Sequence, residues 1–281
     1  MGVDVSSIRE DILRLVPERL RRSDAVVATS PPAPAARPKR STPAAAVGEA
    51  APGRRSALHL SEAQPLSNKQ LEDRRLIHYD ESRREQADAF RQIRTQLLAL
   101  GGDRNFVTLV VPVSPGSGGS YVARNLAAAF AFDEAKTALL IDCNLRHPSQ
   151  HLAFGMEPGS GGLLDYLDRP SLGIDRINYR TGISRLRMIP AGKPGEVHRE
   201  YFMSFRMRAI IDSLRCRYTD RYLFLDGPAV KGSPDARILS ELADYIVLVA
   251  GSGRDTPDAV RRALAAFDPA KVAGTVFNEL P

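Results

Sequence analysis

Cysteine is nearly absent. The 281 residues hold two, Cys143 and Cys216, too few for a disulfide framework or a cysteine metal site. Long apolar runs are missing too: none approaches the roughly 18 residues that a membrane helix needs. The opening stretch, MGVDVSSIREDILRLVPERL, carries acids early and has no apolar centre, so it does not read as a signal peptide. No run alternates bases with aromatics as single-strand binders do. The net charge of +6 is modest and its bases are spread along the chain; the basic N-terminal part reads as a solvated tail, and no nucleic-acid partner is expected. What survives these absences is a cytoplasmic protein with reduced thiols.

Apolar residues make up 43% of the chain, enough for one α/β domain of about 170–200 residues plus an extension. Residues 6–22, SSIREDILRLVPERLRR, place Ile8, Ile12, Leu13, Val16 and Leu20 on one side of a helix, with Pro17 interrupting the pattern. An apolar stripe with nothing nearby to pack on suits a docking helix over 1–22. The stretch that follows, as in SPPAPAARPKRSTPAAA, is rich in Pro, Ala and Ser and cannot bury enough apolar surface to offset its ordering entropy. It reads as a disordered linker over 23–70, with the folded domain at 71–281.

Inside that domain the pattern becomes regular. A helix with Ala87, Phe90, Ile93, Leu97 and Leu98 as its apolar stripe is predicted over 81–100. Strands are predicted at 106–113, 137–142, 186–191, 222–227, 245–251 and 271–278. They are mostly continuous apolar runs, the mark of strands buried on both faces. Helical stretches at 119–132, 198–216, 234–243 and 256–267 lie between them. The fold class is therefore α/β, a mostly parallel central sheet with helices on both faces, and ligands should bind at the carboxyl ends of its strands.

Three strand ends hold the polar residues. The first is SPGSGGSY (114–121). Gly116, Gly118 and Gly119 permit a sharp turn that lets backbone N–H groups converge on phosphate oxygens, and the next helix adds its positive end. Ser120 sits where a hydroxyl ligates Mg²⁺. The second is LLIDCNLRHP (139–148), in which Asp142 ends a buried strand. The third is YLFLDGPAV (222–230), in which Asp226 does the same. Two strand-end acids facing one Gly-rich loop can hold Mg²⁺ and a water beside a nucleotide. Either acid alone could instead be a cap or a salt-bridge partner, His151 a packing residue, and Cys143 a small buried filler.

The chain from about residue 71 to 281 resembles the cytoplasmic domain of the bacterial tyrosine kinases of capsule and exopolysaccharide biosynthesis, a group similar to the septum-site and partition ATPases. The family's P-G-x-G-K-S/T motif matches Pro115, Gly116, Gly118 and Ser120. Its second motif, I-D-A-D-L-R-x-P-x-x-H, matches Ile141, Asp142, Leu145, Arg146, Pro148 and His151. Its third, D-x-P-P, matches Asp226 and Pro228. PAGKPGE (190–196) and VAGTVFN (272–278) resemble two further segments, and DAFRQIRTQL (88–97) resembles the E-x-x-R-x-x-R helix that assembles these kinases into rings.

The resemblance implies a P-loop NTPase (MinD/ParA-like) fold. It implies ATP contacts from Pro115, Gly116, Ser117, Gly118, Gly119, Ser120, Tyr121 and Asn278, with Asn278 near the base. It implies Mg²⁺ on Ser120, Asp142 and Asp226, with the two acids as the catalytic pair. It implies homo-oligomer contacts through Asp88, Arg91 and Arg94, and a membrane-bound polysaccharide co-polymerase, or chain-length protein, as the partner that keeps the chain at the inner face of the membrane.

The departures weigh as much. Gly119 stands where the loop lysine belongs, Tyr121 where a second hydroxyl residue often follows, Asn144 in place of the second motif's second acid, and Asp88 in place of the helix's glutamate. No tyrosine follows Tyr245. Loss of one electrostatic contact to the transferred phosphoryl group costs roughly 3–4 kcal/mol of barrier, so ATP binding and turnover are both expected to be weak or absent. Two other readings are an active autokinase that recruits a cation from Arg124, Arg146 or a neighbouring subunit, and a positioning ATPase of the partition type.

Overall fold

The computed structural model describes residues 65–102, 104–157, 161–192 and 201–279. The expected docking helix over 1–22 and most of the expected linker lie outside them. In chain order the elements are α1 (Asn68–Asp73), α2 (Arg84–Gly101), β1 (Val107–Pro112), α3 (Gly119–Ala131), β2 (Thr137–Asp142), α4 (Gln150–Ala153), α5 (Leu163–Asp168), β3 (Tyr179–Arg180), β4 (Leu186–Ile189), α6 (Phe205–Arg217), β5 (Arg221–Asp226), α7 (Asp235–Ser240), β6 (Tyr245–Gly251), α8 (Pro257–Leu264) and β7 (Val272–Asn278).

Seven strands form one sheet in the order β3-β4-β2-β5-β1-β6-β7. Every pairing is parallel except β3 with β4. Strands β1, β2, β4 and β5 are buried along their whole length, which is why their sequences run apolar instead of alternating. The order sets β2, β5 and β1 side by side. Asp142 and Asp226 are register partners at the ends of β2 and β5, so the topology alone brings both acids and the Gly-rich loop to one edge.

Helix α3 carries the loop. Ten of its residues are buried, including Ala127, Ala128, Ala129 and Ala131, whose small side chains let it lie close between the sheet and α2. Asn125, fully buried, ties the preceding segment to it: Oδ1 accepts from Ile77 N at 2.8 Å, and Nδ2 donates to Arg75 O at 3.1 Å and to Tyr121 O at 3.0 Å. Phe106, Phe130, Tyr222, Phe224 and Tyr245 form an edge-to-face cluster at the opposite end of the strands. Tyr245 completes it by donating its hydroxyl to Leu100 O at 2.7 Å.

The helix expected over 81–100 is α2, preceded by a 3-10 turn at Glu81–Arg83. The described residues ahead of 71 are tied to the domain. Ser67 and Gln70 form a capping box for α1, and Leu66 N donates to Gly182 O at 2.9 Å.

Candidate functional site

The Gly-rich loop turns as its glycines demand. Gly116 and Gly118 have φ of +83° and +89°, a region in which a side chain is strained. Gly119 is different: it opens α3 with ordinary φ. What excludes a side chain there is Pro112. A Cβ built on Gly119 would lie 2.5 Å from Pro112 Cδ and 2.8 Å from Cγ. Pro112 itself is tolerated in a central strand because β5 pairs with β1 only as far as Val110, so no ladder hydrogen bond is lost at its missing N–H.

The loop is clasped from the far side by the ends of β6 and β7. Ser117 Oγ donates to Asp255 Oδ2 at 2.6 Å, and the same oxygen accepts from Gly251 N at 2.8 Å. Asn278 Nδ2 donates to Ser117 O at 3.0 Å. Gly251 is needed for this approach, since a Cβ on it would meet Ser117 Cα at 3.2 Å. Arg254 Nη1 donates to Pro115 O at 3.2 Å.

Both acids are fully buried, and they do different work. Asp142 organises the chain after β2: Oδ1 accepts from Asn144 N at 3.1 Å, and Oδ2 from Ser149 N at 3.1 Å and Gln150 N at 3.0 Å. Asp226 Oδ2 accepts from Gln150 Nε2 at 2.6 Å, and the same amide donates to Ser120 O at 2.9 Å. Gln150, itself fully buried, therefore bridges the β5 acid and the loop. Asp226 Oδ1 and Gln150 Oε1 are buried acceptors with no hydrogen bond of standard geometry, although the Ser120 hydroxyl lies near enough to Asp226 to favour its charged form.

Burial pushes the Asp142 carboxyl up to about 6, against the pull of the Gln150, Asn144 and Ser149 N–H groups and the charge on His151. Burial, and then the charge on Asp142, push Asp226 up to about 7, against Gln150, Ser120 and Arg124. Arg124 is mostly buried near Asp226, its guanidinium 5.4 Å from the Tyr121 ring. Burial raises the Tyr121 hydroxyl, opposed by Arg83, Arg124 and Arg75, and the ring packs edge-on against Phe90 at 6.1 Å. Burial and the two acids hold the Cys143 thiol well above its usual range, as suits a filler and not a nucleophile.

No protein-family model matches the chain. Over 229 residues it is 32% identical to EpsB of Ralstonia solanacearum, named as a candidate tyrosine-protein kinase; the match takes in 79% of this chain and 30% of EpsB. Over 190 residues it is 30% identical to the succinoglycan biosynthesis transport protein ExoP of Rhizobium meliloti, covering 64% of this chain and 23% of ExoP. The solved BceF tyrosine kinase domain superposes with a TM-score of 0.61 and 28% identity, over 78% of this chain and 92% of that domain. The chain belongs to the capsular and exopolysaccharide family of bacterial tyrosine kinases. It spans less than a third of the length of these two longer relatives. Its P-loop NTPase architecture is that of the family's kinase domains.

Against that family's motifs, Pro115 through Tyr121, Asp142, Asp226 and Asn278 converge at one end of the sheet. Asp88, Arg91 and Arg94 lie apart on α2. Asp88 and Arg91 are exposed, while Arg94 Nη1 donates to Ala129 O at 2.7 Å. Sequence reading missed Pro112, Gln150, Arg254 and Asp255. Gln150 carries no local signal. The other three had one: each lies at or just past the end of a strand that borders the loop.

Proposed function

We propose that this chain is a degenerate tyrosine-kinase-like regulator of polysaccharide assembly, which binds nucleotide weakly at the 115–121 loop and turns it over slowly. One observation carries this: position 119, where the loop cation belongs, is closed to any side chain by Pro112, whose ring atoms would lie 2.5–3.1 Å from a Cβ. The backbone N–H groups and the α3 terminus still favour phosphate, but the charge that balances the transferred phosphoryl group is gone from its usual place.

Mg²⁺ fits this site in part. The available donors are oxygens, as that ion prefers, and the unpartnered buried Asp226 Oδ1 beside Ser120 is where it would be held. There it would shield phosphate charge. Asp142 has both oxygens engaged by backbone N–H groups, so it shapes the loop after β2 and would add its charge to the site without being the ion's main ligand. Arg124 limits the repulsion between the acids.

The chain then works by contact. Its exposed α2 face, with Asp88 and Arg91, supports self-association. Its N-terminal amphipathic stretch over 1–22, joined through the 23–70 linker, docks on a membrane polysaccharide co-polymerase and keeps the chain at the inner face of the membrane. Among the described residues no helix is long and apolar enough to cross a membrane. The test is Mg-ATP turnover, with phosphotyrosine formation measured alongside. A rate at least about 10²-fold below the 1–100 per second usual for kinases is expected; turnover of several per second with phosphotyrosine accumulating would overturn the proposal.

A further inference from the structure

We propose that Arg254 is the cation of the loop, delivered from the β6–α8 connection in place of a residue at 119. The inference rests on the reading that the loop binds a nucleotide, and it names the group that binds the phosphate chain there. Three observations point to it.

The first is position. The Arg254 guanidinium lies over the loop: Nη1 reaches Pro115 O at 3.2 Å, and a Cβ on Gly116 would come within 3.0 Å of Nη1 and 3.2 Å of Cζ. Gly116 is therefore a close-approach glycine as well as a turn glycine, and what it admits is this side chain. The second is availability. Arg254 is exposed, and among the described residues its one hydrogen bond is to Pro115 O, with no ion pair to a carboxylate. Its remaining N–H donors are open to an anion. Arg124, another arginine near the site, is mostly buried, with its guanidinium 5.4 Å from the Tyr121 ring. The third is anchoring. The residue after Arg254 is Asp255, which holds Ser117 Oγ and Gly251 N together. The stem that presents the guanidinium is thereby fixed to the loop it covers. A planar guanidinium also binds phosphate in two-pronged fashion, which an ammonium cannot do.

Fluorescence titration with mant-ATP and mant-AMP tests this on the full chain, using wild type, Arg254→Gln and Arg254→Lys, with melting midpoints as the folding control. Arg254→Gln is expected to weaken ATP binding about tenfold or more while AMP binding changes by less than about twofold; Arg254→Lys is expected to fall between wild type and Arg254→Gln for ATP. Equal ATP affinity in wild type and Arg254→Gln overturns the assignment while leaving the nucleotide reading intact. Equal losses for ATP and AMP also overturn it, by making Arg254 a loop prop. A wild-type chain that binds neither nucleotide overturns the nucleotide reading and this inference with it.

Discussion

Pro112 and Gly119 are a matched pair, and neither can be changed alone toward a lysine loop. The ring carbons of Pro112 stand 2.5, 2.8 and 3.1 Å from where a Cβ on residue 119 would be. Those atoms belong to a strand flanked on both sides, so they cannot swing away. Gly119→Lys by itself should therefore cost about 1–3 kcal/mol of stability through overpacking and gain no nucleotide affinity. Pro112→Ala/Gly119→Lys should recover most of that stability and bind ATP more tightly than wild type. Urea melts and ATP titration of both variants check this, and an unshifted midpoint in the single variant would refute the pairing. This pairing is not legible in the sequence, because the clash is with a residue seven positions upstream, and no spacing rule relates a strand proline to the first residue of the next helix.

At the scale of elements, what was legible is what burial writes into composition. β2 and β6 were placed at their observed ends because each is an unbroken apolar run closed by a polar or glycine residue. The short pieces were not legible. β3 has two residues, α4 has four, and α1 and α5 have six each, too few to show a period. The interactions of α2 were half legible. Its E-x-x-R-x-x-R-like pattern suggests two guanidinium groups offered to a neighbouring subunit, yet Arg94 is bound within its own chain to Ala129 O near the end of α3, where a carbonyl lacks an intrahelical partner. The two arginines should therefore separate in experiment. Arg94→Ala should lower stability by about 1–2 kcal/mol and leave the sedimentation coefficient unchanged. Arg91→Glu, exposed and three residues from exposed Asp88, should leave stability within about 0.5 kcal/mol and shift the chain toward monomer. Loss of self-association in Arg94→Ala at undiminished stability would reverse the assignment.

For the whole molecule, the two strand-end acids set how stability depends on pH. Both carboxyls are raised by burial, Asp142 to about 6 and Asp226 to about 7, above the 3.8 of a free side chain. A carboxyl raised in the folded state binds its proton more tightly folded than unfolded. Its contribution to stability is complete below the unfolded value and is lost as pH rises through the folded value. Asp133 works in the opposite sense: Lys136 and the Ala135 N–H hold its carboxyl below the usual range, so its contribution is lost in acid. The melting midpoint should therefore be highest near pH 4, where the raised pair is still protonated and Asp133 already ionised, and fall from there to about pH 7. Asp226→Asn keeps the shape and still accepts from Gln150, but it cannot ionise. It should raise stability by about 1–3 kcal/mol at pH 8, change it little near pH 4, and flatten the profile between them. A wild-type midpoint that rises from pH 4 to 8, or an Asp226→Asn variant no more stable than wild type at pH 8, would mean that the Asp226 charge is already balanced in the folded chain. If the proposal holds, the acid at the end of β5 lowers stability at neutral pH, and that cost is the energy a bound cation would recover.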